Sequence, residues 1–284
     1  MCISKLSSKD ARLVFVATVG NDAYGRDMRQ LFRTNHFVDV DQNIITVDSV
    51  NGTASIFVEK DTGKNFIVLV GGSNVLINND MVDKSWEDIK QCKVLVCQNE
   101  IPLSVTYHAL KKAKEEGLIT IFNPAPAVNL LTLPSELADI GKYVDFLIPN
   151  ETEAPVLIGR DIESSYVEED SVLETLCQEI QEKTQIPNII LTLGERGCAA
   201  LYKTETGERK FQHVKGEKVE NVVDTTGAGD AWVGSFAYFL SCDIPTEESM
   251  GLSNFIASIT VQYKGAQMSY NSLNQSTILS KFVL

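Results

Sequence analysis

Two periods of apolar and polar residues run through the chain. Val94 to Cys97, Leu118 to Phe122, Phe146 to Ile148 and Asn188 to Leu193 are short apolar runs, each followed by polar or glycine-rich residues, and they predict buried parallel strands. Between them, apolar positions recur at helical spacing over about Leu103 to Glu116 and Val172 to Lys183. Strands alternating with helices predict an α/β fold with a mostly parallel central sheet flanked by helices. Leu13 to Val19 predicts an earlier strand, and Tyr24, Met28, Leu31 and Phe32 a helical stripe opened by Asn21 and Asp22. Two stretches break the rhythm. Gly52 to Val70 predicts a hairpin around an Asp61-Thr62-Gly63 turn, with Ala54, Ile56 and Val58 alternating against Ser55 and Phe57. Cys198 to Gly216 predicts a short meander turning at Thr206-Gly207, after which Ala228 to Leu240 and Glu247 to Tyr263 predict two closing helices. No repeat, low-complexity tract or linker interrupts residues 1–284, so a single α/β domain is expected.

Composition narrows the function. With 284 residues, 44% of them hydrophobic, the chain can bury a substantial core. Its 25 basic and 38 acidic residues give a net charge of −13, which weighs against nucleic-acid or acidic-membrane partners and in favour of a small ligand. No apolar run approaches a membrane span, and the apolar run in "MCISKLSSKDARLVF" is too short for a secretory signal, so an intracellular protein is expected. The six cysteines include no C-x-x-C pair and are expected to be free, mostly buried thiols. His36, His108 and His213 stand outside any zinc-ligand spacing, and neither G-x-S-x-G nor a P-loop is present.

The polar residues that follow the predicted strands are the candidates for chemistry, because ligands of open parallel sheets bind beyond the carboxyl ends of the strands. Those ends would gather Glu100, Asn123, Asn150, Glu153, Gly194 and Gly197 on one rim, with the turn before the helix at Ala228. In that turn Gly227 and Gly229 permit positive φ and close approach to the backbone, and the first amides of a helix suit an anion. Any one of these residues alone is equally well explained as a cap or a turn former, and Asp230 as a favourable first-turn charge. Together, several carboxylates and one anion-binding turn suit a phosphate ester carried with a divalent cation.

"DTTGAGD", Asp224 to Asp230, resembles the C-terminal signature of the ribokinase-like (PfkB) sugar kinases. "VGNDAYG", "CQNEI", "FNPAPA", "NETEA", "TLGERG" and "SNFIAS" follow the order found in that family, across nearly the whole chain, and "FNPAPA" resembles its ribokinase branch more than its adenosine kinases or fructokinases. The resemblance implies a ribokinase-like fold with residues 45–72 as part of a small β lid, and transfer of a phosphoryl group from magnesium ATP to the 5-hydroxyl of D-ribose. It implies Asp230 as catalytic base and sugar contact, the amides of Gly227, Ala228 and Gly229 as an anion hole, and Glu100 as a ribose contact. Asn150 and Glu153 match the N-x-x-E motif associated with magnesium and phosphate, Thr192, Gly194 and Gly197 the nucleotide-side loop, and Asn254 an ATP contact. Potassium would be held by Asp224, Thr226, Thr260, Tyr263, Gly265 and Ser269. A homodimer through the lid and a cytoplasmic location, with the nucleus as an alternative, are further implications.

The sequence departs from the family at its start. The family's first strand with its sugar-binding aspartate, and its G-G-K-G-A-N motif, have no counterpart, and "MCISKLSSKDARL" resembles the end of the helix that follows that motif. Two alternatives to a ribose kinase are therefore expected: a catalytically weakened nucleotide-binding or regulatory form, and another sugar or nucleoside kinase of the same family.

Overall fold

The computed structural model describes residues 1–7, 11–35, 37–58, 65–160, 169–204 and 206–273. His36 and the Asp61-Thr62-Gly63 turn lie outside the described residues. The first elements are α1 (Cys2–Leu6), β1 (Ala17–Gly20), α2 (Ala23–Thr34), α3 (Val40–Asn43), β2 (Ile44–Val47), β3 (Thr53–Val58), β4 (Asn65–Val70), α4 (Asn79–Lys84) and α5 (Trp86–Ile89). There follow β5 (Val94–Cys97), α6 (Leu103–Glu115), β6 (Ile119–Phe122), β7 (Phe146–Leu147), α7 (Glu153–Leu157), α8 (Asp170–Thr184) and β8 (Asn188–Thr192). The chain continues through β9 (Cys198–Lys203), β10 (Arg209–Val214), α9 (Ala228–Ser241), α10 (Thr246–Thr260) and α11 (Ala266–Ser269). Contacts divide these elements between two units, Met1–Ala11, Lys93–Asn99 and Leu110–Leu284 in the first and Arg12–Cys92 with Glu100–Ala109 in the second.

In the first unit the four apolar runs become β5, β6, β7 and β8, parallel neighbours in a sheet ordered β10-β9-β8-β7-β6-β5, and the predicted meander adds β9 antiparallel to β8 and β10 antiparallel to β9. Ile121, Phe122, Ile189, Ile190 and Leu191 are completely buried, as runs covered on both faces must be. Trp232, Val233 and Phe236 of α9 pack against Ile121, Phe146, Ile148 and Ile190 on one side. There the Phe236 ring stacks on Trp232 at 5.2 Å and meets Phe146 edge-on at 5.4 Å. Burying a side chain such as Phe236 contributes about 2–3 kcal/mol. Leu173, Leu176, Cys177 and Ile180 form the buried stripe of α8, which lies against β8 and β9. A second cluster joins Cys2 and Leu6 of α1 to Ala231 and Phe239 of α9, Leu252 and Ile256 of α10, and Tyr270. α10 stops three residues short of the expected Tyr263, because the Val261 carbonyl accepts from the amides of Val223 and Asp224 at 2.8 and 3.1 Å. All six cysteines are free, and burial pushes the thiols of Cys97 and Cys177 up to about 12.

In the second unit β1 pairs in parallel with β2, a strand that the apolar pattern did not announce. β1 is also shorter than the expected Leu13 to Val19. The Leu13 carbonyl accepts from the Val38 amide at 2.7 Å, and Phe15 stacks on Phe32 at 4.7 Å, so this segment spends its backbone and apolar groups outside a ladder. Asp22 caps α2, its two carboxylate oxygens accepting from the amides of Gly25 and Asn51, each at 2.8 Å. β3 and β4 form the expected hairpin, in register from Thr53↔Val70 to Val58↔Asn65, with Val68, Leu69 and Val70 exposed. Among the described residues no helix is long and apolar enough to cross a membrane.

Candidate active site

The site in the first unit is organised by the start of α9. Gly227 has φ of 78°, and a Cβ there would lie 2.7 Å from the Ala266 Cβ and 2.9 Å from the Tyr270 hydroxyl, so the turn requires glycine. Its carbonyl accepts from the Ala231 amide at 2.9 Å and from the Tyr270 hydroxyl at 3.0 Å. Ala228 donates its amide to the Thr225 carbonyl at 3.2 Å, whereas the amides of Gly227, Gly229 and Asp230 meet no acceptor among the described residues. A Cβ on Gly229 would face open space. Open amides on an accessible face, with the positive end of the helix dipole behind them, make this turn fit for an anion.

Asp230 stands exposed in the first turn of α9. Its Oδ1 accepts from the Gln98 side-chain amide at 3.0 Å. Gln98 follows β5 directly, and the same nitrogen donates to Asn123 Oδ1 at 2.9 Å, while Asn123, directly after β6, donates to the Ile148 carbonyl at 2.7 Å. The rim of strand ends expected from the sequence thus exists at three adjacent strands, and it reaches Asp230.

Asn150 and Glu153 answer each other across one turn. Asn150 Oδ1 accepts from the amides of Thr152 and Glu153 at 2.9 and 2.8 Å, and Glu153 Oε2 accepts from the Asn150 amide at 2.8 Å. This is a reciprocal capping box, and it gives the N-x-x-E spacing a structural reason of its own. Burial raises the Glu153 carboxyl above the usual glutamate range, against the lowering influence of the Asn150 amide. The next strand end is stitched to this one: Thr192 donates its amide to the Pro149 carbonyl at 3.0 Å, and the Glu151 amide donates to the Thr192 carbonyl at 3.1 Å. Gly194 and Gly197 close the following loop with φ of 59° and 91°, and a Cβ at Gly197 would strike the Val214 carbonyl at 2.2 Å. Arg196 of that loop pairs with Glu151.

Asn254 is buried, and both N–H groups of its side-chain amide are taken. Oδ1 accepts from the Trp232 indole at 2.7 Å, and Nδ2 donates to the carbonyls of Val214 and Lys215 at 2.9 and 3.2 Å. It therefore fastens the end of β10 to α9. Glu100 belongs to the second unit, where it is exposed in the bend before α6.

The residues expected to hold potassium converge on one corner of the first unit. Asp224 accepts from the Thr226 amide through Oδ1 at 2.9 Å and from the Gly265 amide through Oδ2 at 2.8 Å. Hydrogen bonding from Thr226, then from Gly265, holds its carboxyl below the usual aspartate range. Thr260 and Ser269 are buried, with hydroxyls donating to the carbonyls of Ala257 and Ala266, while Tyr263 is exposed. One carboxylate among carbonyls and hydroxyls is a hard oxygen set, the donor chemistry that a monovalent cation requires. Two residues of the site went unassigned in the sequence: Gln98, visible in "CQNEI" as a strand-end residue, and Tyr270, which no motif marks.

The chain matches the model of the pfkB family carbohydrate kinases over residues 1–273 and belongs to that family. It is 35% identical over 269 residues to the ribokinase of Mus musculus, which covers 92% of this chain and 76% of the mouse protein. It is 34% identical over 225 residues to the deoxyribokinase of Salmonella typhi, covering 79% and 68% of the two chains. The crystal structure of the ribokinase of Thermotoga maritima superposes with a TM-score of 0.77 at 30% identity, covering 98% of this chain and 84% of that one, so the fold is the ribokinase-like α/β fold.

Proposed function

We propose that the protein transfers the γ-phosphoryl group of ATP to the 5-hydroxyl of D-ribose, giving D-ribose 5-phosphate and ADP. The observation that carries this reading is the Asp230 carboxylate standing in the first turn of a helix whose leading amides are open. Asp230 takes the hydroxyl proton as the oxygen attacks phosphorus, and the amides of Gly227 and Gly229, with that of Ala228 released from Thr225, offset the charge growing on the transferred phosphoryl oxygens. Positioning and charge stabilisation are the main demands of phosphoryl transfer.

Asn150 and Glu153 place the phosphates and, through water, magnesium, which when bound neutralises charge on the nucleotide. Thr192, Gly194, Gly197 and Asn254 line the nucleotide side, and Glu100 contacts the sugar. Asp224, Thr226, Thr260, Tyr263, Gly265 and Ser269 hold potassium and keep the anion-binding turn in shape. The exposed Val68, Leu69 and Val70 support a homodimer through the β3–β4 lid. A small-molecule kinase with neither nucleic-acid nor membrane partner, placed in the cytoplasm, completes the reading.

Identity with the Salmonella deoxyribokinase favours a second reading, in which the pentose lacks its 2-hydroxyl. A coupled assay of ADP release with D-ribose and with 2-deoxy-D-ribose separates the two. Ribose-dependent ADP release, reduced about 10²-fold or more in Asp230→Asn with ATP binding retained, is expected. ATP binding without pentose-dependent turnover would replace the proposal by the nucleotide-binding, regulatory form.

A further inference from the structure

The three strand ends beside Asp230 are in register. Cys97 pairs with Phe122 and Phe122 with Leu147, so the next residues, Gln98, Asn123 and Ile148, form one row across β5, β6 and β7. Adjacent strands lie about 4.8 Å apart, a gap that amide side chains can span. The hydrogen bonds in this row have a fixed sense. The Ile148 carbonyl can only accept, so the Asn123 group facing it is the NH2, and Asn123 presents its oxygen to Gln98. Gln98 must then present its NH2, and since that group carries two protons, one goes to Asn123 Oδ1 and the other to Asp230 Oδ1. A reversed Gln98 amide would set its oxygen against both acceptors.

We infer that Gln98 is the positioning residue of the reaction: its side-chain amide, oriented through Asn123 by the Ile148 carbonyl, holds Asp230 Oδ1 and leaves Oδ2 to receive the substrate proton. This rests on the assignment of Asp230 as the base. No donor among the described residues engages Oδ2. In the step itself the hydroxyl proton passes to Oδ2, the hydroxyl oxygen forms a bond to the γ-phosphorus, and the bond from that phosphorus to the β–γ bridging oxygen breaks, its electron pair leaving with ADP. A neutral amide fixes the carboxylate through a hydrogen bond without pairing it with an opposite charge.

Other titratable groups also face Asp230. They are the Cys2 thiol of α1 and the Tyr270 hydroxyl, both raised chiefly by burial, the former to about 12, and the Met1 amino group, which burial lowers. All three are common to parent and variant, so a difference between the two reports on Gln98.

The test is Gln98→Met, which keeps the length and bulk of the side chain and removes its N–H groups. We expect turnover to fall about 10-fold with ATP affinity unchanged, and the acidic limb of the pH–rate profile to move to higher pH, because the carboxylate form loses a donor. Titration of the Asp230 carboxyl by 13C NMR, which requires no turnover, should show its midpoint moving the same way. Unchanged midpoints in Gln98→Met, or an unchanged profile with parental turnover, overturn the inference. Asp230→Asn is measured beside it. Parental turnover in that variant overturns the base assignment, and this inference with it, whereas loss of turnover in Asp230→Asn with none in Gln98→Met removes Gln98 alone.

Discussion

The Tyr270 hydroxyl donates to the Gly227 carbonyl at 3.0 Å, tying the chain after α11 to the turn that opens α9. That carbonyl also receives the Ala231 amide, the first full helical bond of α9, so Tyr270 steadies the turn that carries the open amides.

Gly227→Ala should therefore fail twice. Its φ of 78° costs a residue with a Cβ about 1–2 kcal/mol, and the new methyl would crowd Ala266 and the Tyr270 hydroxyl. Loss of about 2 kcal/mol or more in urea unfolding, together with loss of phosphoryl transfer, is expected. Tyr270→Phe should cost only about 1 kcal/mol, since it removes one hydrogen bond and keeps the ring. Equal stability of Gly227→Ala and the parent would contradict this account of the turn.

Asp224 joins the signature to the chain after α10 through the Gly265 amide. Because its carboxyl is held below the usual aspartate value of 3.8, its contribution to stability is complete above that value and is lost as the pH falls through the lowered one. Asp224→Asn should thus narrow the gap between stability at neutral pH and at acid pH. It should also weaken the response to potassium. Replacing potassium by sodium or lithium should slow the parent enzyme without unfolding it; equal rates in the three salts would remove the cation assignment.

Glu153 titrates in the opposite sense. Its carboxyl is raised by burial above 4.5, so the folded state binds the proton more readily, and stability declines as the pH rises from that value through the raised one. Glu153→Gln, which preserves the acceptor for the Asn150 amide, should abolish this decline and leave the fold intact. Its activity should fall, with more magnesium needed for half-maximal rate. Chemical unfolding followed at several pH values, beside a magnesium titration, checks both expectations.

Asn254 serves three partners from a buried position. Asn254→Leu would leave the Trp232 indole and two carbonyls unsatisfied, and a loss of about 3 kcal/mol is expected in urea unfolding. Asn254→Asp keeps the acceptor for Trp232 but sets a buried carboxylate against the carbonyls of Val214 and Lys215. That variant should regain stability on acidification, when a protonated carboxyl can donate; an aspartate variant equally stable at every pH would show that the two carbonyls find other donors.

The chain's local patterns determined its α/β class and most of its elements. The apolar run Val94 to Cys97 is β5, and the helix expected from Ala228 to Leu240 is α9 to within one residue, because burial of a run or a stripe imposes a period that shows within a dozen residues. The N-x-x-E spacing of Asn150 and Glu153 stood in the sequence as a family motif, and the structure adds that the two residues cap each other reciprocally. Only the tertiary structure decided that Leu13 to Val16 stays outside the ladder, that Ile44 to Val47 pairs with β1, and that both donors of the Asn254 amide go to backbone carbonyls. The same holds for the row Gln98, Asn123 and Ile148 and its junction with Asp230, 132 positions from Gln98 along the chain. Strand order and register bring such residues together, and these are set by the packing of whole elements against one another, which no local window of sequence contains.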